Sequence, residues 1–171
     1  MSGLDELVIP DVPEPIVGYR VWYVCPSSCP GQGTGPYRSA LKRGESLDGR
    51  LFRTVTLRSI TQDFHWGTGP VQMNHMELFC AKQEYMLGIH AWKTLEQGRE
   101  YAERLRMWPN VLIMGEVYLW GQVMPYTHGY LATNAQVKRL IPVAYSGYHD
   151  NAYYTQEVAK KMGIPIMGAP S

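Results

Sequence analysis

The stretch Gly115-Glu116-Val117-Tyr118-Leu119-Trp120-Gly121-Gln122-Val123 alternates at the two-residue period of a β-strand. Val117, Leu119 and Val123 share one parity, while Tyr118 and Trp120 hold the other. Both faces therefore carry apolar mass. Such a strand is covered on both sides, or its outer face is a contact surface. A turn-rich Pro125-Tyr126-Thr127-His128-Gly129 follows, and then a second apolar run from 130 to 137. The pattern predicts a β-hairpin, with 111–123 pairing against 130–137.

Working outward, residues 18–24 (Gly-Tyr-Arg-Val-Trp-Tyr-Val) are β-branched and aromatic and read as a first strand. Before them, Pro10, Pro13 and Pro15 remove backbone donors, so residues 1–17 read as an extended Pro-rich arm preceding a single domain of residues 18–171. Residues 25–49 are dense in Gly, Pro and Ser and read as a long loop. Residues 51–66 form a further strand candidate, 73–81 are ambiguous between strand and helix, and 85–92 read as a strand. Thr94 with Gln97 has the spacing of a capping box, predicting a helix to about Met107 that buries Leu95, Ala102 and Leu105. Gly98 within it costs about 1 kcal/mol relative to Ala, which points to close packing there. A last helix starts at Asp150 or Asn151, aligns Tyr154, Val158 and Met162, and stops at Gly163. The tail Ile164-Pro165-Ile166-Met167 is expected to fold back onto the body. The fold class is α+β: a curved, mainly antiparallel β-sheet with one central packing helix and a C-terminal helix.

At 171 residues the chain suits one domain with a real core. Twelve Tyr and five Trp against three Phe favour half-buried sheet surfaces and interfaces. A net charge of +1 gives no overall pull toward nucleic acid or membrane. No apolar run reaches the length of a membrane span, no signal-peptide pattern opens the chain, and the three cysteines suit a reducing compartment. The expected location is cytoplasmic.

Motifs for chemistry are sparse. Cys25 and Cys29 are four apart and could hold zinc with His75 or Cys80, although no second paired half follows. The plainer account is a loop whose thiols bind nothing. Met73, His75, Met76, Cys80 and Met86 offer soft Cu(I) ligands, yet methionine is more often a core filler. Gly31-Gln32-Gly33-Thr34-Gly35 lacks the lysine and following helix of a phosphate loop. His65, His75, His90, His128 and His149 match no His-Glu-x-x-His or nucleophile pattern. Neither catalytic residues nor a cofactor are therefore assigned. Arg38, Lys42, Arg43, Arg50, Arg53 and Arg58 form a local basic segment interleaved with Tyr37 and Phe52. It could lie along a phosphate backbone, or serve simply as a solvated loop.

The order of segments resembles a family of uncharacterised small proteins from actinobacteria and their bacteriophages. The resemblance is carried by Gly18-Tyr19-Arg20-Val21-Trp22, Trp66-Gly67-Thr68-Gly69, Leu87-Gly88-Ile89-His90-Ala91-Trp92-Lys93 and, most distinctively, Gly-Glu-Val-x-Leu-Trp-Gly-x-Val at 115–123. It continues through Gly129-Tyr130-Leu131-Ala132 and Gly163-Ile164-Pro165-Ile166. The family's Cys-x-Cys-Gly-Ile-Tyr-Ala run is degenerate here: Tyr85 and Leu87 stand where the thiols would be, and His90 replaces the tyrosine. Its Arg-Ala-Glu is Leu131-Ala132-Thr133. The resemblance implies origin and shape, and implies no reaction.

Three functional readings follow. The first is a non-enzymatic binding or regulatory protein, a phage accessory factor acting on a host protein in the host cytoplasm, with Tyr118, Trp120, Tyr126 and Tyr130 as its contact residues. Ordinary core aromatics are the competing account of those four. The second is a nucleic-acid-binding regulator using the basic 38–58 segment. The third is an enzyme with an unfamiliar site, drawing on His65, His75 and Cys80.

Overall fold

The computed structural model describes residues 11–26, 55–58, 65–72, 88–105, 112–142 and 151–168. In chain order these form β1 (Asp11–Pro26), β2 (Val55–Arg58), β3 (His65–Trp66), β4 (Val71–Gln72), β5 (Ile89–Trp92), α1 (Leu95–Arg104), β6 (Leu112–Tyr126), β7 (Gly129–Ile141) and α2 (Asn151–Met162). The class is α+β, with a curved sheet whose strand pairs are all antiparallel. None of the described helices is long and apolar enough to cross a membrane.

The hairpin of β6 and β7 is the scaffold. Tyr126 pairs with Gly129 across the Thr127-His128 turn, and pairing continues to Met114 with Ile141. Both edges of β6 are occupied, because β1 pairs along its other side from Asp11–Gln122 to Tyr23–Leu112. β5 bridges the outer strands: it pairs with β7 over four residues and with β1 through Tyr19–Trp92 alone. The strands β1, β6, β7 and β5 thus close into a ring. β2 and β3 extend from β1, and β4 adds to β7 at Val71–Ala135.

The first strand begins earlier than the run at 18–24 suggests. Asp11 and Val12 pair with Gln122 and Gly121, and pairing resumes at Ile16. The irregular stretch between holds Pro13 and Pro15, which have no N–H to give to a ladder. Residues 11–17 are extended, as the prolines indicate, but they belong to the sheet instead of preceding it. The single strand candidate at 51–66 is two short strands, β2 and β3, in its described parts.

Apolar side chains from all layers meet in one core. Trp22 and Trp66, both essentially inaccessible, meet edge to face with centroids 5.5 Å apart. Gly115 lets this happen: a Cβ there would meet Trp22, Leu140 and the Arg139 carbonyl. The capping box of α1 forms as its spacing requires. Thr94 Oγ1 accepts from the Gln97 N–H at 3.2 Å, and Gln97 Oε1 accepts from the Thr94 N–H at 3.1 Å. Gly98 brings the helix onto the sheet, since a Cβ there would overlap Met114 and touch Trp92 and Tyr19. Ala102 is buried, and Leu95 and Leu105 lie against the core.

Helix α2 buries Tyr154 and Val158, with Met162 partly buried, and Gly163 follows at φ +68°. The tail then returns. The Leu140 N–H donates to the Pro165 carbonyl and the Met167 N–H to the Leu140 carbonyl, both at 2.8 Å, forming a parallel bridge at Ile166.

Candidate binding face on the central hairpin

Two register shifts in the β6–β7 ladder shape this face. In the first, Glu116 pairs with Arg139 while Val117 pairs with Val137, leaving Lys138 as the extra residue. Adjacent residues on a regular strand point to opposite faces, whereas a bulge sets two residues against one. Lys138 and Arg139 accordingly both reach Glu116. Arg139 donates from Nε to Oε2 at 2.7 Å and from Nη2 to Oε1 at 3.0 Å, and Lys138 Nζ lies 3.2 Å from Oε2. The Glu116 side chain is 5% exposed, against 28% for Lys138 and 37% for Arg139. Hydrogen bonding from Arg139 holds the Glu116 carboxyl below its ordinary pKa; burial opposes this, and Lys138 assists. The same pairing raises Arg139.

Tyr118 stands next on the face, opposite Gln136. Lys138 Nζ sits 5.3 Å from its ring centroid, a cation–π distance. At 37% exposure Tyr118 is the one large hydrophobic side chain exposed among the described residues. Trp120, opposite Asn134, is half-buried.

The second shift separates Trp120–Asn134 from Val123–Ala132. Gly121 takes φ +76°, and its missing Cβ makes room for Thr133 Oγ1 and Asn134 Nδ2. The Gln122 N–H donates to Thr133 Oγ1 at 3.1 Å. Because β6 spends an extra residue here, Val123 changes sides and joins the Trp120 face through Ala132. Tyr126, paired with Gly129, falls on the opposite face. Tyr118, Trp120 and Tyr126 therefore do not form one aromatic row. Tyr130 shares its parity with Gln136 and Asn134 along β7, and its ring lies 5.7 Å from Lys93 Nζ.

The Tyr126 hydroxyl lies 3.4 Å from His90 Nδ1; both residues are half-buried and stand beside the buried Arg20. Arg20 Nη1 donates to the His90 carbonyl, and its guanidinium carbon is 4.8 Å from the Trp66 ring centroid. Burial lowers the Arg20 pKa to about 10, while the nearby Tyr101 and Tyr126 phenols act in the opposite direction. The group stays charged at neutral pH. Burial raises both phenols, against the pull of Arg20. His128 in the hairpin turn meets Gln97: Nε2 lies 3.3 Å from Nδ1, and the His128 carbonyl accepts from the Lys93 N–H at 3.0 Å.

Cys25 is in β1, its backbone paired with Thr56. Cys29, His75 and Cys80 lie outside the described residues, as do Arg38, Lys42, Arg43, Arg50 and Arg53. Arg58 is in β2, paired in the backbone with Tyr23 and with His65. Among the described residues no group of three or more His, Cys, Asp or Glu could hold a metal ion.

The Glu116–Lys138–Arg139 cluster and buried Arg20 match no motif in the sequence. A signal existed for each. Lys138-Arg139 is a doublet of cations that interrupts the alternation of its strand, and Arg20 is a lone charge in an apolar run. Comparison of the chain with protein-family models, with curated proteins and with solved structures finds no match.

Proposed function

We propose that the protein is a non-enzymatic binding or regulatory module that docks a partner protein on the β6–β7 face around Tyr118. The observation that carries this reading is the exposure of Tyr118 on a strand paired along both edges. An aromatic ring on a backbone already fixed loses little further conformational freedom on contact, and tyrosine combines apolar area with a hydrogen-bonding hydroxyl. Trp120 extends the contact. Tyr126, beside His90, and Tyr130, beside Lys93, lie further along the hairpin and fit positioning of the turn better than direct contact. The resemblance to actinobacterial and phage proteins makes an accessory factor acting on a host protein the first version to test.

The test is affinity capture from actinobacterial host lysate with the wild-type chain, Tyr118→Ala and Trp120→Ala, each checked for native circular dichroism. A specific partner should be identified whose affinity falls at least about tenfold in Tyr118→Ala, as for a hot-spot aromatic. Equal capture by the folded variant, or no specific partner, would remove this reading.

A further inference from the structure

We infer that the partner segment recognised at Tyr118 is acidic: a peptide stretch carrying carboxylates beside an apolar side chain. This deepens the binding reading and rests on it. Two cations share one carboxylate here, and the three groups are layered. Glu116 lies beneath, nearly inaccessible, while Lys138 and Arg139 are partly exposed above it. Seen from solvent the cluster is net positive, its counter-charge hidden.

Glu116 also fixes the cations in place. Its two oxygens take Nε and Nη2 of Arg139 and face Nζ of Lys138. A guanidinium has five donors and an ammonium three, so both keep further N–H groups for an incoming carboxylate. Such an acceptor would meet donors already held in place, with Tyr118 alongside for an apolar neighbour. Charge complementarity also separates this partner from nucleic acid. A phosphate backbone binds a run of cations that release many counterions. Here two adjacent cations give way to neutral Gln136 and Asn134 along the same strand.

The experiment is a titration of the 15N-labelled full-length chain, read by amide chemical shifts. Three probes are compared: acetyl-Glu-Leu-Glu-Leu-Glu-amide, its Gln-for-Glu isostere, and an oligo-dT single strand. The acidic peptide is expected to shift the amides of Tyr118, Lys138 and Arg139. Its binding should weaken severalfold as salt rises from about 50 to about 300 mM, and about two- to fivefold in Lys138→Gln. Equal shifts from the Gln isostere would overturn the acidic preference and leave the binding reading standing. Stronger shifts from oligo-dT at the same amides would overturn it in favour of nucleic acid. No shift there from either peptide also overturns it, while lysate capture with Tyr118→Ala decides the binding reading independently.

Discussion

Replacing Gly115 by alanine tests the packing of the central hairpin most directly. An ideal Cβ at this position lies 2.5 Å from the Arg139 carbonyl oxygen, 3.1 Å from Trp22 Cζ3 and 3.2 Å from Leu140 Cδ2. Even the close C–H···O contacts of sheets hold carbon and oxygen about 3.3 Å apart, so about 0.8 Å must be recovered. Trp22 and Leu140 are fully buried and cannot withdraw into solvent. The carbonyl belongs to the residue that pairs with Glu116 at the bulge, so moving it disturbs the ladder. Overpacking costs about 1–3 kcal/mol, with the upper end apt where backbone must shift. Relief of glycine's extra unfolded-state freedom returns about 0.5–1 kcal/mol. The expected net loss is about 2 kcal/mol, or about 4–8 °C in Tm for a chain of this size. Urea unfolding followed by tryptophan fluorescence gives the difference from the midpoints if the slope is unchanged. Gly67→Ala is the comparison, because nothing lies within 4 Å of its Cβ position; it should stay within about 0.5 kcal/mol of wild type. Similar stabilities for the two variants would refute the packing argument.

Other consequences are equally concrete. Thr94→Ala should cost about 1 kcal/mol through loss of the cap on α1, read by thermal unfolding. Gly121→Ala forces a left-handed conformation worth about 1–2 kcal/mol onto a Cβ-bearing residue. It should also speed hydrogen exchange at the Gln122 amide, and unchanged protection there would contradict the bulge. Glu116 has a depressed folded pKa, so its contribution to stability is present above the ordinary carboxylate value of 4.5 and is lost as pH falls through the folded value. Glu116→Gln should therefore be less stable than wild type at pH 7, with the gap narrowing on acidification. A constant gap from pH 7 to about 3 would count against the pairing.

Much of the fold is legible where one local interaction decides it. Thr94 with Gln97, and Gly163 after Met162, mark helix ends through short-range hydrogen bonding and backbone freedom. The hairpin is legible because alternation persists on both sides of a turn. What escaped depends on partners distant in sequence. Gly121 reads as an ordinary strand residue until Thr133 and Asn134 crowd it, and the resulting bulge reverses the side of Val123 and Tyr126 relative to strict alternation. Pro13 and Pro15 read as an arm because their tolerance within β1 depends on an irregular register opposite β6. For the candidate site, Tyr118 and Trp120 were visible as strand aromatics. The cations beside Tyr118 were hidden because only a bulge places Lys138 and Arg139 on one side.

β1 and β5 share a single backbone pair, Tyr19–Trp92, so that junction has the shortest ladder in the strand ring, with the Arg20 guanidinium on the His90 carbonyl beside it. Helix α1 lies across it, with Gly98 close to both residues. Opening of the helix would therefore uncover this joint. Local opening of the strand ring should begin there, at the shortest ladder, while the long ladder of β6 stays whole.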